Sequence, residues 1–199
     1  MNTIGRVLSK PAVFGLSLLL LAVFILFAYP VMGALMLQHT PEGAAFDTVL
    51  FYTPEEAVHK ASLYETASQT AMIRLHWTYD LAFPLVYGFF SLTAWSLGLS
   101  LLAGIGKTPR FRLLLIPMAA VVFDLVENAS ISIMLAAAGS GRVAAVPEWA
   151  AVLASFTASG ATLGKWIFVV PAFAGAVILL VLGLVVSALR RHRNRTVSG

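Results

Sequence analysis

Two carboxylates and an amide, Asp124, Glu127 and Asn128, stand inside an apolar run that extends from about Leu113 to Ala138. A run of that length reads as a membrane-spanning helix, since about 20 apolar residues cross the hydrocarbon core of a bilayer. An acidic side chain near the middle of such a helix costs roughly 2.5–3.5 kcal/mol on insertion scales unless a partner meets it. At about 1.5 Å of rise per residue, Asp124 lies roughly 18 Å from Arg112 and so near the bilayer centre. Steps of three and four put all three polar groups on one helix face. The rest of the chain is therefore expected to supply their partners.

Composition agrees with a membrane chain. Of 199 residues, 59% are hydrophobic and 11% charged, against roughly a quarter charged in a soluble domain. Most of the surplus base sits in three blocks: Arg6 with Lys10; Lys107 with Arg110 and Arg112; and Arg190-Arg191-His192-Arg193-Asn194-Arg195. Each block ends or joins an apolar run, which is the positive-inside pattern and explains the basic balance without nucleic acid as a partner. There is no cysteine, so disulfides, thiol nucleophiles and thiolate metal sites are excluded.

These features predict an all-α, polytopic membrane protein. It is a four-helix transmembrane bundle forming one domain, 1–199, with spans at about 12–37, 71–102, 112–138 and 161–189. The first run exceeds the usual 7–15 residues of a signal-peptide core, and no small-x-small cleavage site follows Tyr29-Pro30, so it reads as a span. Four spans with both termini in the cytoplasm satisfy all three basic blocks. The segment Gln38–Thr70 carries Glu42, Asp47, Glu55, Glu56 and Glu65 against Lys60, and is read as facing outward.

Within that segment Thr53-Pro54-Glu55-Glu56 predicts a helix start: Thr53 as N-cap, Pro54 in the first helical position, Glu56 closing a capping box. The short outer amphipathic helix it opens, about 54–68, carries Val58, Ala61, Leu63, Tyr64 and Ala67. It is expected to lie on the membrane surface or to cap the bundle, with a bend near Ser68–Thr70. From Pro147 to Leu189 the chain is almost continuously apolar and would make one helix of about 63 Å, twice the hydrocarbon thickness. Division is therefore expected at Ser159-Gly160, with a short outer helix at 147–158.

Three local matches carry no function. Gly106-Lys107-Thr108, in the basic turn 104–112, has Leu101 where a phosphate loop needs its first glycine. Asn128-Ala129-Ser130 is a glycosylation sequon inside a span. Gly160 and Gly164 form a small-xxx-small pair, which leaves a homo-oligomer open.

The candidate site is built from the intramembrane polar residues. In the second span His76, Asp80, Pro84, Tyr87 and Ser91 recur along one helical stripe. Pro84 cannot donate to the Asp80 carbonyl, so a kink is expected there. Lys165, beside Trp166, lies within reach of Asp80 and Glu127 by depth, with Asp124 one turn deeper. Three acids against one lysine sum to minus two, and the cluster is expected to hold a proton at neutral pH. The candidate ligand-binding residues are thus Asp80, Asp124, Glu127, Asn128, Lys165, His76 and Tyr87. The same residues also suit a purely structural role, holding helices in register. His39, His59 and His76 show no ligand spacing, so no metal site and no cofactor is predicted.

Four stretches together carry a resemblance: Tyr52-Thr-Pro-Glu-Glu-Ala57, Tyr79-Asp80-Leu-Ala-Phe-Pro84-Leu-Val-Tyr87, Asp124-Leu-Val-Glu127-Asn128 and Thr162-Leu-Gly-Lys165-Trp166. The pattern resembles that of small bacterial four-span membrane proteins, which implies the inner membrane as location and carries no activity with it. The layout is also distantly similar in architecture to the emopamil-binding and sigma-2-receptor-like group, whose spans enclose an acid-lined lipophile cavity. Some members of that group isomerise sterol double bonds; none of their catalytic residues is carried over. Three function classes stay open: a site for a lipophilic or cationic small molecule, with or without acid–base chemistry; a structural or assembly subunit; and a proton-coupled transporter acting as an oligomer.

Overall fold

The structure, a computed structural model, describes residues 3–46, 49–103, 111–138 and 146–197. Expectations placed on Asp47 and on most of the basic turn, including Gly106-Lys107-Thr108, lie outside the described residues. All regular structure among the described residues is helical. Four helical stretches are long and apolar enough to cross a membrane: Pro11–His39, Thr66–Ala103, Arg112–Ala137 and Glu148–Arg195.

A short α1 (Thr3–Leu8) leads into the first span. That span comprises α2 (Pro11–Val23), a π turn at Phe24–Ala28 and α3 (Tyr29–His39). Pro30 accounts for the irregularity: it has no N–H for the Leu26 carbonyl, and the Tyr29 N–H reaches back five residues to Phe24. After a connection without helix among its described residues come α4 (Pro54–Ser62), α5 (Thr66–His76) and α6 (Tyr79–Ala103). A 3₁₀ turn at Phe111–Leu114 starts the third span, α7 (Leu115–Ala137), and α8 (Glu148–Val197) completes the chain. Spans two, three and four form the tight core, with α8 packed along both α6 and α7. The first span leans on α5 and α6.

At one end of the bundle a cap is built from the segment between spans one and two. The capping box forms as expected: the Glu56 N–H donates to Thr53 Oγ1 at 3.2 Å, and the Thr53 N–H to Glu56 Oε2 at 2.7 Å. Ala57 and Ala61 of α4 then meet Ala154 and Ala158 of α8 around Phe46, Tyr52, Tyr64, Ile131 and Leu135. Small residues let α4 and α8 approach closely while the aromatics fill the remaining space. Lys60 donates to the Ala45 carbonyl and sits 5.8 Å from the ring centres of Phe46 and Tyr52, a contact worth roughly 0.5–1 kcal/mol at an exposed site. The cap is thus a packed layer over the bundle.

Four expectations are corrected. Helix α4 stops at Ser62, so the bend lies at Leu63–Glu65 rather than near Ser68–Thr70, and Val58, Leu63 and Ala67 stay exposed. The second span, expected as one helix, is interrupted at Trp77–Thr78; Pro84, seven residues further on, lies inside α6. Here Trp77 has φ −90° and ψ 5°, and the Thr78 hydroxyl donates to the Arg74 carbonyl at 2.7 Å. Third, the span starts five residues earlier, at Thr66. Fourth, α8 is one helix of 50 residues with no break at Ser159-Gly160. The Ser159 hydroxyl donates to the Ser155 carbonyl at 2.8 Å, a bond that fits inside a continuous helix. Its first three turns bury Ala154 and Ala158 against the cap, which removes the need to fit them into hydrocarbon.

Candidate functional site

The interruption at Trp77–Thr78 decides how the second span offers its polar stripe. His76 closes α5 and Asp80 lies in the first turn of α6. A helix end is a favourable place for a cationic imidazole, and a helix start for a carboxylate. The two side chains meet there, His76 Nδ1 lying 3.0 Å from Asp80 Oδ2. One turn further on, Pro84 leaves the Asp80 carbonyl without its helical donor, and Tyr87 follows on the same face. All of His76, Asp80, Pro84, Tyr87 and Ser91 are buried.

The third span contributes its three polar groups as one buried face, and α8 meets them. The Tyr87 hydroxyl donates to Asp124 Oδ2 at 3.0 Å. Lys165 Nζ is in direct contact with Glu127 Oε2 and lies 3.9 Å from Asp124 Oδ1. Thr162, one turn before Lys165, donates its hydroxyl to the other Glu127 oxygen. Lys165 therefore pairs with Glu127 at contact and lies near Asp124 at longer range. Asn128 is 2% exposed, and its side-chain amide has no hydrogen-bond partner among the described residues.

A cavity of about 340 Å³ opens on this cluster. Asp80, Tyr87, Asp124 and Lys165 line it, and the rest of its wall is mainly apolar, with Met32, Met36 and Met72 and the rings of Phe46, Phe83 and Phe173 prominent. Glu127, Asn128 and His76 are not part of that wall. Of the seven predicted residues, the structure thus brings four to one cavity. It sets Glu127 and His76 behind them as partners of Lys165 and Asp80, and leaves Asn128 aside. Two carboxylates facing an otherwise apolar space can accept hydrogen bonds, pair with a cation or exchange a proton with an occupant. Among the described residues no group of three His, Asp or Glu side chains is placed to hold a metal ion.

Sequence reasoning missed Thr162 as a site residue and the whole contribution of the first span. Thr162 had a signal, standing three residues before Lys165 and so on the same face. Tyr29, Met32, Gly33, Met36 and Leu37 had none, because in an unbroken apolar run nothing distinguishes a residue facing a cavity from one facing lipid. Trp166, read only as a neighbour of Lys165, also lines the cavity and donates its indole N–H to the Val49 carbonyl at 3.3 Å. Gly164, half of the small-residue pair, is occupied within the chain: a methyl group there would lie 2.6 Å from the Phe123 ring.

Compared with known proteins, the chain matches no family model, no curated protein and no solved structure.

Proposed function

We propose that the protein is a bacterial inner-membrane protein that binds a lipophilic small molecule through a polar, proton-accepting or cationic end. The observation that carries this reading is the single cavity wall on which Asp80, Asp124, Tyr87 and Lys165 stand among methionines and aromatic rings. Its volume of about 340 Å³ lies at the small end of the range usual for small-molecule sites, and a mostly apolar wall with a few convergent polar groups is their usual make-up. Charge favours an amine at the polar end. The cavity presents two carboxylates and one ammonium, and that ammonium is already in contact with Glu127 behind the wall. A carboxylate here pairs with an amine, whereas the same group in its protonated form would give its proton to a double bond, so acid–base chemistry is the alternative use of the site. Basic residues at Arg6, Lys10, Arg112 and Arg190–Arg195 argue for cytoplasmic termini, with the cap and the cavity mouth in the outer half of the membrane.

One observation favours a second role for part of the cluster. Glu127 is fully buried, does not line the cavity and binds Lys165 and Thr162 of α8. That trio is read as a fastening between spans three and four.

Native mass spectrometry of the protein released from mild detergent tests the proposal, with wild type beside Asp80→Asn and Asp124→Asn. The expected result is a defined small-molecule adduct on the wild type that is missing from both variants while they remain folded. The reading fails if no adduct appears on any of them and both variants melt well below wild type, for then the acids serve the fold alone.

A further inference from the structure

The cavity is not closed on the side of the first span. Its lining there falls into two stripes of α3, each with a four-residue step. Met32 and Met36 form the inner stripe and are buried or half-buried, whereas Tyr29, Gly33 and Leu37 form an outer stripe that is exposed. Leu37 is 78% exposed and still lines the cavity. The facing wall belongs to α8, through Lys165, Trp166, Val169 and Phe173. Helix α3 packs on α5 and α6, so the space between α3 and α8 is where the cavity reaches the outside of the bundle. All of these residues lie on helices long and apolar enough to cross a membrane, so an opening between them is placed to face lipid rather than the aqueous end of the bundle.

Gly33 stands at the middle of the exposed stripe, and its surroundings differ from those of the glycines buried between helices. A methyl group at Gly98 would lie 2.7 Å from the Leu179 backbone and one at Gly175 would lie 2.1 Å from the Trp95 ring, whereas at Gly33 it would meet nothing within 4 Å. Close helix packing therefore does not account for this glycine. A residue without a side chain, in a helix, on a cavity wall, leaves room for something else to pass.

Building on the binding site proposed above, we infer that its ligand is a membrane-dissolved amphiphile with a hydrocarbon chain. It enters sideways between α3 and α8, sets its amine end on Asp80 and Asp124, and runs its chain past Gly33, whose missing side chain sets what fits. Charge complementarity selects the head and hydrocarbon surroundings select the tail. Met32, Met36 and Met72 line the path with unbranched, adaptable side chains suited to a flexible chain.

Photo-crosslinking of the full chain in lipid nanodiscs tests this, with hexadecylamine carrying a diazirine a few carbons from its amine as the probe. Adduct positions are read by peptide mass spectrometry for wild type, Gly33→Ala, Gly33→Leu and Gly33→Trp. The expected result is labelling at Met32, Met36 or Phe173 in wild type and Gly33→Ala, lost in Gly33→Leu and Gly33→Trp. Labelling of the lipid-facing Leu18–Leu20 stretch should persist in all four, and unlabelled hexadecylamine should compete where butylamine does not. Because the space around Gly33 is open, none of the three variants should melt below wild type, and two bulky replacements guard against one misfolding. Cavity labels at wild-type strength in both Gly33→Leu and Gly33→Trp would overturn the route past Gly33 and leave the site itself standing. If the wild type is labelled only on its lipid-facing surface, the native mass spectrum decides between the two ideas. A co-purifying water-soluble molecule there would overturn the amphiphile alone, and an empty spectrum would overturn the site as well.

Discussion

The two halves of this bundle are held together by different means. In the half beneath the cap, helices meet through side-chain polar groups around a cavity: His76 with Asp80, Tyr87 with Asp124, Lys165 with Glu127, Thr162 with Glu127. In the half toward the basic end they meet through surfaces that touch. Gly98 lies against the Leu179 backbone, and Trp95 lies over Gly175 with its indole N–H donating to the Ala172 carbonyl at 2.7 Å. A hydroxyl pair, Ser17 with Thr93 at 2.6 Å, ties the first span to the second. Hydrocarbon supplies no hydrophobic force between helices, so each half needs a substitute. Close contact works where no space is required, and charge pairing works where space must be kept open. The difference in means is what allows one bundle to be both rigid and hollow.

That contrast can be broken at several points. The largest effect is expected from Lys165→Met, which leaves Glu127 buried without its cation and should cost about 3–5 kcal/mol. Adding Glu127→Gln to it should recover much of the loss. Thermal unfolding in detergent checks both, and a loss under about 1 kcal/mol would show that charge pairing does not hold the hollow half. Next comes Gly98→Val in the solid half, where overpacking against backbone should cost about 1–3 kcal/mol. No loss there would mean that the spans have slack to part. Tyr87→Phe removes one buried hydrogen bond and should cost roughly 0.5–1.5 kcal/mol, while altering the occupancy of the cavity seen by native mass spectrometry. The smallest effect has the opposite sign: Gly33→Ala should stabilise by up to about 1 kcal/mol, because alanine loses less backbone freedom in a helix than glycine does. A glycine whose replacement helps, set beside one whose replacement harms, distinguishes space kept from space filled.

How much of this was written in the chain depends on which half is asked about. Asp124 and Glu127 are conspicuous because charge in an apolar run is costly, Lys165 is conspicuous for the same reason, and Tyr87 stands on the polar stripe that Asp80 marks. The capping box at Thr53 and Glu56 is equally legible, since it is a local arrangement of four residues. The walls of the cavity are not. Met32 and Met36 look like any other residues of a span, and only the placement of α3 beside α8 gives them a role. The break at Trp77–Thr78 was also hidden, because Pro84 offered a more obvious point for it. The expected break at Ser159-Gly160 rested on length alone, and length misled: a helix longer than a bilayer is thick is no problem once a cap covers its end. Gly98 and Gly164 show the same limit, as a glycine's neighbour on another helix cannot be read from its own sequence context.

The unbroken α8 has a further bearing. Fifty residues of helix measure about 75 Å, of which only about 30 Å can lie in hydrocarbon. With the cap fixed to one end and arginines on the other, the rod cannot shorten to suit a thin membrane or stretch to suit a thick one. Tilt is the adjustment left to it. The first span, which faces α8 across the cavity, is made instead of two helices joined by a π turn. If the two walls tilt by different amounts, the width of the gap between them would depend on the membrane as well as on the protein.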